Sequence, residues 1–205
     1  MLRTNLPHLS THPHFIGSWI IEPLSLCDSI ITHFESKQGE HAQGKTTKGG
    51  IELGAKDSTD LFIEPKDLLL PENKIFETYM EGLFACFQDY KSQWPFLDAI
   101  TEEVHVGTFK IQRYRQGQHF QSIHTERGYR SLHRLFAWMT YLNDVDVADG
   151  GATTFHHYGL DVQPQKGLTL IWPGEWTHAH KGGQLLANQK YIMTGWFHWP
   201  THSDD

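Results

Sequence analysis

The chain has 205 residues, with 17 lysines and arginines against 24 aspartates and glutamates, giving a formal charge of −7. That length suits one large all-β or α+β domain able to sustain its own core. The acidic balance argues against a nucleic-acid or anionic-membrane partner. Residues 1–14 lack an apolar stretch of signal-peptide length and no 18-residue apolar run occurs, so a cytoplasmic protein is the expectation.

In chain order, Pro23 opens an expected helix whose apolar residues Leu24, Cys27, Ile31 and Phe34 step by three and four. The stretch 38–58 is rich in Gly, Lys and Thr and poor in large apolar residues, which fits a long loop, a weak edge hairpin or a lid. A second helix is expected from about Pro71 to Tyr90, with Phe76, Met80, Leu83, Phe84 and Phe87 on one stripe. Cys27 and Cys86 are the only cysteines, and their apolar, helical settings point to free buried thiols in a reducing compartment.

From Glu102 onward the texture changes to short alternating segments. Strands are expected at Val104–Val106, Phe109–Ile111, Leu132–Leu142, Thr153–His157, Leu168–Trp172, Trp176–His180 and Lys190–Trp199, separated by Gly and Pro. The pattern predicts a mainly β fold with flanking helices, a jelly roll (double-stranded β-helix), in a single domain over 1–205. Residues 1–100 form a helical and loop support region, and about 100–200 form the catalytic core.

Chemistry concentrates in that second half. His124-Thr125-Glu126 is followed 54 residues later by His180, and ten residues on by Lys190. Two histidines and one carboxylate are the ligand set that holds iron(II) while leaving three positions open. If 120–126 is extended, residues i and i+2 point to one side, so His124 and Glu126 reach the same metal. In the last strand Lys190, Ile192, Thr194, Trp196 and His198 share a face, and Tyr191, Met193, Gly195, Phe197 and Trp199 share the other. An ammonium group among such neighbours is costly without an anion, and the alternative is an exposed lysine on an edge strand.

Most of the 15 histidines must play no part in this. His178 and His180 fall on the same face of the expected strand; spacing to Lys190 and the following Gly182 favour His180. His119, His133, His156, His157 and His198 fit polar strand or core positions. His8, His12 and His14 lie in an N-terminal tail beside Pro7 and Pro13, where only an adventitious metal site would form. A cupin reading of His178-Ala-His180 expects a glutamate four or five residues on, where Gln184 and Leu185 stand. No His-Glu-x-x-His helix is present.

Over about residues 100–200 the chain resembles the 2-oxoglutarate- and iron(II)-dependent dioxygenases, specifically the prolyl 4-hydroxylase-like branch. The resemblance rests on Tyr114-x-x-Gly117-x-x-Phe120 before the His-x-acid pair, and on Tyr141-Leu142-Asn143-Asp144 followed by Gly150-Gly151-Ala152-Thr153-Thr154-Phe155. It continues through Lys166-Gly167 and the strand to Trp172-Pro173, then His180-x-Gly182, Lys190 and Trp196. Three departures stand out. Glu126 replaces the commoner aspartate, one extra residue separates Phe120 from His124, and Ala152 takes the place of a glutamate.

The resemblance implies His124, Glu126 and His180 as iron(II) ligands, with Lys190, Tyr114 and Thr194 binding 2-oxoglutarate. It places Tyr114 and Trp196 among the catalytic residues. Lys190 would pair with the distal carboxylate, a charge-assisted contact that selects a five-carbon dicarboxylate. The implied reaction consumes O2 and 2-oxoglutarate, releases succinate and carbon dioxide, and hydroxylates an unactivated C–H bond; ascorbate is an implied stimulant. A halogenase of this fold would carry a small residue at Glu126. The implied substrate is a prolyl residue in a peptide or protein, with a free amino acid or other small molecule as the alternative. A jelly-roll binding module and a metal enzyme that does not use 2-oxoglutarate are the other classes. No nucleic-acid or membrane partner is expected, and the sequence is silent on oligomeric state.

Overall fold

The protein is described by a computed structural model covering residues 1–4, 13–46 and 50–200. The strands are β1 (Leu2–Arg3), β2 (Gly17–Ile20), β3 (Ala42–Gln43), β4 (Thr59–Ile63), β5 (His105–Val106), β6 (Phe109–Arg115) and β7 (Phe120–His124). They continue with β8 (Arg134–Tyr141), β9 (Thr153–Phe155), β10 (Leu160–Val162), β11 (Leu168–Pro173), β12 (His180–Gly182) and β13 (Gln189–His198). Two helices, α1 (Ser25–Ser36) and α2 (Lys74–Gln93), precede the roll.

Two antiparallel sheets face each other. The major one runs β1-β2-β11-β8-β13-β6-β4-β3 with β5 added beside β13, and the minor one runs β10-β9-β12-β7. Alternation along β13 sorts its side chains. Met193 and Phe197 join Trp138, Phe109 and Ile111 against the helices, where Phe34, Phe76, Leu83 and Phe87 close the core. Ile192 turns the other way and packs with Met139, Tyr141, Leu170, Trp172 and Phe155 between the sheets. The helices thus cover the outer face of the major sheet, as expected, and the cleft between the sheets is left for chemistry.

Both helices start later than the apolar spacing suggests. α1 begins at Ser25 and buries Leu26, Cys27, Ile30 and Phe34, so Leu24 is exposed and Ile31 only half-buried. Pro71–Asn73 forms a separate 3-10 turn ahead of α2, whose buried stripe is Phe76, Tyr79, Leu83, Cys86, Phe87 and Tyr90; Phe84 lies at its exposed border. Cys27 and Cys86 are free and buried, and burial pushes their thiols up to about 11 and about 12.

Three further departures have local causes. The expected strand at 176–180 is broken because Pro173-Gly174 ends β11 and Trp176–His178 coils into a 3-10 turn, so β12 starts only at His180. β4 escaped the alternation pattern because its inward Asp60 is charged yet fully buried. The stretch 38–58 departs from a plain loop toward the edge hairpin, the other expected form: Gln38–Glu40 forms a 3-10 turn and β3 pairs with β4 at the sheet edge.

Gly195 lies at the centre of β13, where a Cβ would sit 2.4 Å from Trp138 Cζ2 and 2.9 Å from Phe109 Cβ. Gly195→Val is expected to lower stability by about 1–3 kcal/mol through overpacking. A urea midpoint unchanged from wild type would show that the Trp138 layer yields freely.

A candidate metal centre between the two sheets

His124 and His180 face each other across the minor sheet as direct partners in the β7–β12 ladder. Gly182 pairs with Phe120, so β7 spends five residues against three on β12 and bulges. The extra residue between Phe120 and His124 lies in this bulge. β7 ends at His124, and Glu126 stands in the turn that follows rather than in the strand. Thr125 Oγ1 and Arg127 N–H both donate to the Gly174 carbonyl, at 2.7 and 2.8 Å, and aim that turn back at the cleft.

The three side chains converge. Glu126 Oε1 lies 3.3 Å from His180 Nε2 and 3.7 Å from His124 Nε2, and one ligand atom from each residue falls within 4.8 Å of the others. Each imidazole is oriented by its other nitrogen: Nδ1–H of His124 donates to the Ser122 carbonyl and that of His180 to the His178 carbonyl, both at 2.9 Å. Such contacts fix the tautomer and leave Nε2 free to bind a metal. Phe120 stacks on the His124 ring at 3.8 Å.

Glu126 is held from behind. Trp196 Nε1–H donates to its Oε2 at 2.7 Å, and the Arg134 guanidinium lies 3.5 Å over the Trp196 ring and 3.8 Å from the same oxygen. Burial opposes the carboxylate charge, but the hydrogen bond with His180 and the nearby imidazoles outweigh it and hold Glu126 well below the usual carboxylate range. Burial and His180 lower His124 to about 3, so at neutral pH it is an uncharged donor. A buried carboxylate with two imidazole nitrogens fits iron(II).

The triad opens into a cavity of about 460 Å³, also lined by Tyr114, Lys190, Thr194 and Trp196. Lys190 is buried and donates to the Gly151 carbonyl at 2.8 Å, with its Nζ 4.6 Å over the Tyr114 ring. Gly151 has φ +72° and a Cβ there would meet Leu185 at 3.0 Å, so glycine lets this carbonyl approach. Desolvation lowers Lys190 to about 8. A buried ammonium on a backbone carbonyl is a receptor for an anion, and the site fits a dicarboxylate such as 2-oxoglutarate.

The other expected site residues sort differently. Tyr114 is paired with Lys190 across β6 and β13 and is placed to share its ligand. Thr194 is not: it lies four residues along β13, roughly 13 Å away at strand spacing, and its hydroxyl donates to the Trp138 carbonyl at 2.8 Å. Trp196 serves to orient Glu126. His178 leaves the shared face because of its 3-10 turn, and its Nε2–H donates to the His14 carbonyl at 2.9 Å. His8 and His12 lie outside the described residues. Sequence reasoning missed Arg134, Lys56 and Lys110, all on the cavity wall; alternation along β6 and β8 could have found Lys110 and Arg134.

The fold and the site together define a double-stranded β-helix with a two-histidine, one-carboxylate cluster able to hold a metal. Residues 109–198 match the family model described as 2OG-Fe(II) oxygenase superfamily. Within it the likeness runs to prolyl hydroxylases. Prolyl 4-hydroxylase subunit alpha-1 of Gallus gallus is 31% identical over 72 residues, which are 32% of this chain and 14% of that protein. Its Homo sapiens counterpart is also 31% identical over 72 residues, covering 13% of that protein, so the chain spans a small part of the curated relatives it matches.

Among solved structures, a Pseudomonas putida prolyl-4-hydroxylase aligns with TM-score 0.71 and 16% identity, over 93% of this chain and 95% of that one. The viral collagen prolyl hydroxylase of Paramecium Bursaria Chlorella virus-1, in complex with 2OG, aligns with TM-score 0.65 and 15% identity over 91% and 97%. At these identities the structures share the fold.

Replacing His124 or His180 with Ala is expected to abolish measurable iron(II) binding in anaerobic titration, whereas His178→Ala retains it. The reverse ranking of His178 and His180 would reassign the third ligand. Trp196→Phe, which removes the donor to Glu126 and leaves a smaller ring under Arg134, is expected to weaken metal binding about 10–100-fold; undiminished affinity would show that the indole N–H does not position the carboxylate.

Proposed function

We propose that the protein is an iron(II)- and 2-oxoglutarate-dependent hydroxylase acting on a prolyl residue of a peptide or protein. One observation carries the reading: a His124–Glu126–His180 triad and a buried, anion-seeking Lys190 open into the same cavity. The likeness to prolyl hydroxylases supports the substrate class. When bound, iron(II) with 2-oxoglutarate and oxygen would supply oxidation of a C–H bond, with succinate and carbon dioxide as coproducts.

The chain's own groups have definable tasks in that reaction. His124, Glu126 and His180 would hold the metal, and Trp196 keeps Glu126 turned toward the two imidazoles. Lys190 holds the distal carboxylate of the cosubstrate, and the buried Tyr114 beside it, kept neutral because burial raises its hydroxyl well above the usual range, closes the wall. Met139, Trp172 and Ile192 line the cleft and limit water. The buried free thiols support a reducing compartment such as the cytoplasm.

The test is succinate formation by the iron(II) protein, with and without proline-containing peptides. Peptide-stimulated succinate, with hydroxyproline in the product, is the expected outcome; absence of both would remove the assignment. Lys190→Ala is expected to weaken 2-oxoglutarate binding by about 3–5 kcal/mol, because a buried carboxylate loses its ionic partner. An unchanged affinity would place the cosubstrate elsewhere.

A pH dependence follows. Free Lys190 loses its proton above about 8, whereas a bound carboxylate raises its pKa. Apparent affinity for 2-oxoglutarate is therefore expected to hold below about pH 8 and to fall, up to about tenfold per unit, above it. Lys190→Arg removes that step, because guanidinium stays charged; a step that persists in this variant would assign the titration to another group.

A further inference from the structure

Beside the metal centre, on the wall formed by β4 and β6, lies a second charged group that the proposed reaction does not use. Lys56 is 1% exposed, and its Nζ lies 3.2 Å from Asp60 Oδ2. Lys110 Nζ lies 3.3 Å from that same oxygen. Asp60 Oδ1 accepts from Ser58 Oγ and Gln112 Nε2, both at 2.7 Å. One carboxylate is thus met by four donors, two of them cations, which fills its acceptor capacity. With both lysines protonated, the cluster sets two ammonium groups against one carboxylate.

Both lysines line the cavity that holds the triad. Gly44 packs over the cluster: a Cβ there would lie 2.1 Å from Ser58 Oγ and 3.0 Å from Lys56 Cε. Lys56 Nζ stands 5.0 Å over the Phe120 ring, whose opposite role is to stack on His124. The cluster and the His124 side chain thus contact the same aromatic ring. A buried excess cation is costly unless an anion completes it. Burial first and Lys110 second lower Lys56 to about 7, which fits an incomplete site.

The cosubstrate already has its cation in Lys190. Lys190 pairs with Tyr114 and Thr194 with Lys110 in the β6–β13 ladder, so the backbone positions of Lys190 and Lys110 lie roughly 13 Å apart along the strands. A 2-oxo acid held by Lys190 at one carboxylate would direct its other end to the triad. We propose that Lys56 and Lys110, set on Asp60, form a second anion subsite that takes a carboxylate of the primary substrate. The proposal rests on the hydroxylase reading and narrows it to substrates with a carboxylate near the oxidised carbon. That carboxylate belongs either to a chain end or free amino acid, or to an acidic side chain next to the target residue.

The experiment compares acid and amide partners by calorimetry, on protein loaded with iron(II) and 2-oxoglutarate under argon. One pair is N-acetylproline and N-acetylprolinamide; the other is an end-blocked Ala-Pro-Asp-Ala peptide and its Asn counterpart. At least one acid is expected to bind tenfold or more tightly than its amide, and the pair that shows it identifies the source of the carboxylate. Lys110→Met, which leaves Lys56 paired with Asp60, is expected to reduce that preference to within twofold, and Lys56→Met to do the same if it folds. Equal binding of acid and amide in both pairs on wild-type protein, or a preference that survives in Lys110→Met, overturns the subsite. Failure of 2-oxoglutarate itself to bind overturns the hydroxylase reading instead.

Discussion

The ladder between β7 and β12 sets His124 opposite His180, and the geometry of the centre depends on that pairing. Strand side chains alternate between faces, so a one-residue slip would send His124 away from the cleft. The bulge in β7 absorbs the surplus of residues between Phe120 and His124 and preserves the facing pair. Glu126 then needs no strand of its own. Its turn is tied to Gly174, at the end of β11, so a contact between the two sheets delivers the third ligand.

Behind this first arrangement stands a graded electrostatic one. Glu126 is surrounded by donors that keep it charged, while His124 is kept neutral by burial and by its twin imidazole. Lys190 is charged but given only a carbonyl, and Lys56 and Lys110 share a single carboxylate. The cleft thus carries its negative charge at the metal position and its uncompensated positive charge at two separate places along the β6–β13 floor. Such a distribution favours anionic ligands that reach the metal from different directions.

Much of this was legible from residues alone, for reasons that can be named. Period-two alternation placed Lys190, Ile192 and Trp196 on one face of β13, and that face is the cavity floor. The interval from Glu126 to His180 and on to Lys190 selected the residues that now stand around the cleft. What was not legible depended on groups that contradict their local pattern. Asp60 is a buried charge inside a strand, sustained by partners on β6 and in the preceding segment, so β4 is not among the expected strands. Periodicity alone does not separate His178 from His180, though spacing to Lys190 favours His180; the 3-10 turn that sets His178 on the His14 carbonyl is what parts them. Thr194 shares the right face but stands too far along it.

The division of the two cores has a consequence for durability. Cys27 and Cys86 lie in the helical layer behind the major sheet, whereas the metal cleft lies in front of it. Across that sheet there is no thiol, only a lining of Met139, Trp172 and Trp196 among the groups nearest the cleft. In the proposed reaction a stray oxidant formed at the centre would meet a thioether and indoles on the cleft wall, and thioether oxidation can be reversed by reductases whereas over-oxidation of a thiol generally cannot. The sheet would in this sense be a firebreak, with wear falling on the cleft rather than on the packing that keeps the chain folded.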